Sequence, residues 1–167
     1  MSGKLRTAAE IGRPSTEDGS AIWRIARDSG TLDLNSSYAY LLWCRDFADT
    51  SAVVRVDDDV VGFVIGFIRP SEQHTLVVWQ IAVEESSRGN GFAGRLLDHL
   101  VDRLAVRYLE TSITADNTAS IALFESLAER RGAVVERAEL FHAEQFPDDH
   151  DTENLYRIGF PAEVGAP

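Results

Sequence analysis

The sequence predicts a mixed α/β domain of the α+β kind, and three features carry that reading. Short β-branched runs alternate with segments whose apolar residues recur at i, i+3 and i+4, so strands and amphipathic helices follow one another. Two of the runs, Ala52–Val56 and Val60–Ile68, are separated only by Asp57-Asp58-Asp59, which reads as an antiparallel hairpin with an acidic turn. A third run, His74–Val83, leads through Arg88-Gly89-Asn90-Gly91 into a helical pattern.

Taken in order, Leu5–Ile11 alternates weakly and suits a first strand, and Pro14-Ser15-Thr16-Glu17-Asp18 supplies a cap and first-turn acids for a helix ending near Gly30. A second helix starts at Ser36 or Ser37 and carries Tyr38, Leu41, Leu42 and Phe47. The hairpin follows, its three aspartates reading as a solvated turn rather than a metal site. After the glycine turn, Ala93, Leu96, Leu97, Leu100, Val101 and Leu104 form one apolar helix face. Tyr108–Thr114 returns to strand. Asp116-Asn117 caps a further helix with Leu123, Phe124 and Leu127 inward, closed by Gly132. Ala133–Leu140 and Leu155–Phe160 read as closing strands, and the polar, acid-rich stretch His142–Asn154 between them is long enough to suggest a functional loop. The 167 residues, 44% of them hydrophobic, suit one domain over 1–167, with the first few residues and the tail after Pro161 expected to be disordered.

Composition narrows the function classes. A net charge of −11 and the lack of any Lys/Arg-rich window set with aromatic residues argue against a nucleic-acid partner. No apolar run approaches the roughly 20 residues needed to cross a bilayer, and the start MSGKLRTAAEIGRPS lacks an apolar secretion segment, so no membrane partner and a cytoplasmic location are expected. Cys44 is the only cysteine, which excludes an intramolecular disulfide; within YLLWC it reads as a small core hydrophobe rather than a nucleophile. No metal is expected. An anionic ligand would need a locally positive spot on this acidic chain, such as a helix start with one or two arginines.

The turn Arg88-Gly89-Asn90-Gly91-Phe92-Ala93-Gly94 is such a spot, because glycines let the backbone run close to a bulky anion and the next helix start offers free N–H groups. A P-loop would need Lys-Ser/Thr after its last glycine, and here Arg95-Leu96 follow Gly94. Gly89, Gly91 and Gly94 match the dinucleotide GxGxxG spacing, yet the turn follows hairpin strands, and Glu110, the acid near the required distance, lies mid-strand. The turn instead resembles the acetyl-CoA motif of the GCN5-related N-acetyltransferase (GNAT) superfamily, Arg/Gln-x-x-Gly-x-Gly/Ala, at Arg88, Gly91 and Ala93. Gln80-Ile81-Ala82-Val83 resembles the superfamily strand that bonds the pantetheine arm, and Asn117, Ser120, Leu123 and Phe124 resemble its second block, Asn-x-x-Ala-x-x-Leu-Tyr. The resemblance implies a single central, mixed but mostly antiparallel sheet flanked by helices. It also implies acetyl-CoA as co-substrate, held by Ile81, Ala82, Val83, Arg88, Gly89, Asn90, Gly91, Phe92, Ala93, Gly94, Asn117 and Phe124. Phe124 departs from the pattern: most members have a tyrosine there to protonate the leaving thiolate, and a phenyl ring cannot donate.

Over roughly Thr31–Gly159 the chain resembles the diaminobutyrate acetyltransferase branch of that superfamily, in segments such as Asp33-Leu34-Asn35-Ser36-Ser37-Tyr38, Val78-Trp79-Gln80-Ile81-Ala82-Val83 and Leu155-Tyr156-Arg157-Ile158-Gly159. This implies a homodimer that acetylates the γ-amine of L-2,4-diaminobutyrate in ectoine biosynthesis. A small amino acid with two ammonium groups needs acidic side chains, a hydroxyl or amide donor for its carboxylate and an aromatic wall, and Asp33, Tyr38, Trp79, His150 and Glu153 supply that set. Each also has a plainer reading. Asp33 would cap a helix, Tyr38 and Trp79 would be core, and His150 and Glu153 would be solvated. Asp33 or Glu153 is the candidate base, with Glu110 a third, and a backbone N–H near Val83 is the candidate oxyanion donor. Rival classes are a transferase for another small amine or a protein N-terminus, and an acyl-CoA-binding module without turnover.

Overall fold

The structure, a computed structural model, describes residues 8–162. The start of the expected Leu5–Ile11 strand, and the expected disorder of the first few residues and of the chain end, lie wholly or mainly outside the described residues. In chain order the elements are β1 (Glu10–Gly12), α1 (Gly19–Asp28), α2 (Ser37–Asp46), β2 (Ala52–Val56), β3 (Asp59–Ile68), β4 (Thr75–Val83), α3 (Phe92–Leu104), β5 (Tyr108–Thr114), α4 (Thr118–Arg130), β6 (Val134–Phe141) and β7 (Glu153–Gly159). The strands form one seven-stranded sheet in the order β1-β2-β3-β4-β5-β7-β6. β4 and β5 run parallel, as a helical crossover between neighbouring strands requires. The backbone divides into two compact units, one reaching to Ile65 and including Gln80–Leu100, the other made of Gly66–Trp79 and the chain from Val101 onward.

In the first unit, Ser15 N–H donates to Asp18 Oδ2 at 2.8 Å, and Arg55 Nη2 donates to the same oxygen at 2.6 Å, anchoring the entry to α1. α1 buries Ile22, Ile25 and Ala26, spaced i, i+3, i+4. These meet Tyr40 and Cys44 of α2, Val53, Phe63 and Ile65 in one apolar cluster. The inward face of α2 differs from the expected one. Tyr40 and Cys44 are buried, whereas Tyr38 is 67% exposed and Leu41 and Phe47 also face outward. Both sets fit a helical period, so spacing alone could not choose between them. Burial raises the Cys44 thiol to about 11, with the Asp18 charge adding to the shift, so the side chain stays a neutral core group. The hairpin turn is two residues long: Val56 pairs with Asp59, and Asp57 and Asp58 take φ of 52° and 68°. Aspartate tolerates this left-handed region better than most residues, and it matches the primed turns of two-residue hairpins.

In the second unit, β7 pairs antiparallel with β5 along its whole length, from Tyr108↔Gly159 to Thr114↔Glu153, and with β6 on its other side. Among the described residues the parallel ladder between β4 and β5 covers only Thr75↔Tyr108 to Val77↔Glu110. α4 is capped as expected, with Asn117 Oδ1 accepting from Ser120 N–H at 3.2 Å, and Gly132 leaves it at φ 59°. Glu153 and Asn154 belong to β7 rather than to the preceding connection, which opens with a 3-10 turn at Ala143–Gln145.

Candidate active site

The glycine turn has the geometry that its residues require. Gly89 and Gly91 take φ of 82° and 73°, a region that L side chains rarely enter, and a Cβ built on either meets no atom within 4 Å. The turn is braced from within, since Asn90 Nδ2 donates to Ser87 O at 2.8 Å and Arg88 Nε donates to Val83 O at 3.2 Å. α3 makes its first bond from Arg95 N–H to Gly91 O at 3.1 Å. The N–H groups of Phe92, Ala93 and Gly94 therefore stand at the helix head without intrahelical acceptors, next to open space over Gly91. An anion approaching the backbone there meets donors and the positive end of the helix dipole. A cleft of about 1010 Å³ adjoins the start of the turn and is lined by Val83, Ser87 and Arg88, with Arg24 and the acidic Asp28, Glu84 and Glu85.

Gly62 of β3 lies against the end of β4. A methyl there would stand 2.9 Å from Val54 Cγ1, 3.1 Å from the Val83 side chain and 3.2 Å from the Ala82 carbonyl, so any larger residue would push on both neighbouring strands beside Ile81-Ala82-Val83. One residue earlier, the buried Gln80 donates from Nε2 to the Asp33 carbonyl at 2.7 Å and accepts the Tyr40 hydroxyl at 2.9 Å. Asp33 does not cap α2, because Ser36 does so by accepting from Ala39 N–H. Tyr38, one residue into α2, is surface rather than core. The Gln80–Tyr40 pair is what sequence reasoning missed. The only signal was a glutamine inside an apolar strand.

In the second unit, His150 and Glu153 are brought together, with Nε2 and Oε1 3.7 Å apart and side chains only 17% and 20% exposed. His150 Nδ1 lies 2.6 Å from Asp151 O, and its ring stacks on Phe146 at 3.9 Å. The solvated-loop reading of both residues is thereby corrected. Glu153 Oε2 is buried and, among the described residues, has no hydrogen-bond partner, an acceptor left over for a ligand. Trp79 is 40% exposed, which corrects the core reading for it too. Phe124 is buried in α4. Glu110 is withdrawn as a candidate base, because Arg157 Nη1 binds it at 2.7 Å with Arg69 at 3.5 Å. Among the described residues no group of three His, Cys, Asp or Glu side chains is arranged to hold a metal ion, and no helix is long and apolar enough to cross a membrane.

The glycine turn and the helix head after it expose backbone donors that could hold an anion, and comparison with known proteins gives the family. Residues 20–128 match the acetyltransferase (GNAT) family. The chain belongs to that family. It is 58% identical over 162 residues to the L-2,4-diaminobutyric acid acetyltransferase of Streptomyces coelicolor, covering 93% of this chain and 95% of the relative. The enzyme of the same name from Marinococcus halophilus is 47% identical over 151 residues, covering 88% and 87%. A solved structure of diaminobutyrate acetyltransferase EctA from Paenibacillus lautus, in complex with L-2,4-diaminobutyric acid and coenzyme A, matches at a TM-score of 0.90 and 38% identity, covering 95% of this chain and 99% of that one. The seven-stranded sheet with its crossover helix is thus the GNAT fold. The turn after β4 is the Arg88–Gly94 segment that resembles the acetyl-CoA motif of this family.

Proposed function

We propose that this chain, as a single acetyltransferase domain, transfers the acetyl group of acetyl-CoA to the γ-amine of L-2,4-diaminobutyrate, the reaction of its relatives in ectoine biosynthesis. The observation that carries the reading is the match, at TM-score 0.90 over 95% of the chain, to an enzyme solved with that amino acid and coenzyme A. Its support in the residues is the glycine turn with Gly89 and Gly91 at positive φ and the partnerless Glu153 carboxylate oxygen.

In this reading the N–H groups at the head of α3 and the Arg88 guanidinium bind the pyrophosphate. Ile81, Ala82 and Val83 hold the pantetheine arm, and Asn117 and Phe124 complete the cofactor set. Asp33 and Glu153 hold the ammonium groups of the acceptor, with Tyr38, Trp79 and His150 walling the amine. An alkylammonium pKa near ~10 leaves few neutral amines at pH 7, so Asp33 or Glu153 accepts the proton, directly or through water. The neutral nitrogen attacks the thioester carbonyl, and the C–N bond forms as the Val83 backbone N–H receives the developing oxyanion. The now cationic nitrogen gives up its second proton to the base or to solvent, and the C–S bond breaks to leave the neutral amide. A thiol of pKa ~8.5 leaves readily as thiolate and takes its proton from solvent, so Phe124 need not donate. A homodimer in the cytoplasm belongs to the same proposal; the family resemblance supports the dimer and the lone Cys44 supports a reducing compartment.

The test is thiol release from acetyl-CoA with diaminobutyrate, ornithine, lysine or a short peptide as acceptor. Diaminobutyrate should give the highest kcat/KM. Preference for a peptide or another amine would move the chain to a different acceptor class, and no release with any of them would leave a binding module.

A further inference from the structure

We propose that Gln80 and Tyr40 are a positioning pair that holds the Asp33–Asn35 segment against the cofactor end of β4 and thereby sets the affinity for the amino-acid acceptor. This rests on the acetyltransferase reading above, since it gives the pair its purpose. Gln80 directly precedes Ile81-Ala82-Val83 on β4, and its side chain is buried. Its carbonyl oxygen accepts the Tyr40 hydroxyl at 2.9 Å while its amide nitrogen donates to the Asp33 carbonyl at 2.7 Å. The same Tyr40 oxygen accepts Asn35 N–H at 3.4 Å. Residues 33–36 lie in neither helix nor strand, so two side chains from α2 and β4 grip this segment by its backbone at Asp33 and Asn35. Both contacts fix where the segment lies without using the Asp33 carboxylate.

Core packing alone does not call for this pair. Tyr40 is 1% exposed and sits edge-on to Phe63 in the apolar cluster of the first unit. A hydroxyl and an amide in such a place cost stability unless each is satisfied, and replacing both by apolar groups of similar shape is close to neutral. What the polar pair adds is a fixed distance between β4 and the residue assigned to the acceptor. A displacement of β4 at Gln80 is passed to Asp33 through one short hydrogen bond.

The experiment uses Gln80→Met, Tyr40→Phe and the double variant, each with its thermal midpoint recorded. Acceptor KM and kcat are measured at saturating acetyl-CoA, and cofactor affinity by calorimetry. Each single variant should raise the KM for diaminobutyrate by roughly two- to tenfold, the range of one net hydrogen bond, with kcat and cofactor affinity within about twofold. The double variant should fall short of the product of the two single effects, because Tyr40 acts partly through Gln80 and partly on Asn35 directly. An unchanged acceptor KM in folded variants overturns the proposal, as does a parallel loss of cofactor affinity with multiplicative effects, which would mean general loosening. Should Gln80→Met fail to fold, Tyr40→Phe carries the test alone, since it removes a single oxygen. Wild-type protein that does not acetylate diaminobutyrate would instead sink the acetyltransferase reading and take this inference with it.

Discussion

Arg157 Nη1 lies 2.7 Å from Glu110 Oε2, so a guanidinium on β7 neutralises a carboxylate on the facing residue of β5. The same Nη1 donates to Glu72 Oε2 at 2.9 Å, and the guanidinium lies 3.9 Å over the Tyr108 ring. Arg157→Met keeps much of the side chain's bulk but leaves the Glu110 carboxylate, 8% exposed, with the 3.5 Å contact to Arg69 as its one remaining ion pair among the described residues. Breaking one side of a buried pair costs about 3–5 kcal/mol, so urea unfolding should show a loss approaching that size. A loss under about 1 kcal/mol, the range of a surface pair, would mean that the network is ornamental to the fold.

The Arg157 hydrogen bond, helped by that of Thr75, holds the Glu72 carboxyl below its ordinary value of 4.5. A folded pKa below the unfolded one stabilises the fold above the unfolded value, and that contribution is lost as pH falls through the folded value. Wild-type stability should therefore drop more steeply below pH 4.5 than that of Glu72→Gln, whose curve lacks this group. Parallel thermal midpoints from pH 6 to 3 would contradict the assignment.

Gly91 sits at φ 73°, at the entrance to α3. A valine there is forced out of its allowed backbone region and projects Cβ into the open space where an anion would approach. Gly91→Val should abolish detectable acetyl-CoA binding by calorimetry while the far-ultraviolet dichroism stays near wild type. Unaltered affinity in a folded variant would remove this turn from the cofactor site.

Phe124 is 2% exposed, so a tyrosine there must bury a hydroxyl. An unsatisfied buried hydroxyl costs about 1–3 kcal/mol, and Phe124→Tyr should lower the thermal midpoint accordingly. Its kcat should stay within a few-fold of wild type, because thiolate departure needs little help. A gain on the order of a hundredfold, the low end of general-acid catalysis, would show that protonation of the leaving group limits the rate.

Asp33→Asn and Glu153→Gln should each lower kcat/KM for diaminobutyrate by roughly ten- to a hundredfold, the value of a charge-assisted hydrogen bond, while acetyl-CoA affinity stays nearly constant. The variant that removes the base should lose mainly kcat and shift the pH profile; the one that removes a binding contact should chiefly raise KM. Ornithine, one methylene longer, should be the poorer acceptor, because its amine overshoots the carbonyl when its α-groups are anchored. Equal use of both amino acids, with indifference to both replacements, would dissolve the proposed pocket.

Much of this molecule was legible one segment at a time. The element order, the acidic hairpin turn, the Asn117 cap and the positive-φ glycines before α3 depend on residues within a few positions of one another, where backbone sterics and local hydrogen bonds decide. The sequence by itself therefore determined the strands, the helices and the glycine turn. Only the tertiary structure decided the partners. Gln80 meets Tyr40 across 40 residues and Asp33 across 47, and Arg157 meets Glu110 across 47, distances at which periodicity carries no information about which groups will touch. For the same reason the buried face of α2 went to Tyr40 and Cys44, not to the equally periodic Tyr38 and Leu41. A helical repeat marks a stripe, and the neighbour that covers it is chosen by the rest of the chain.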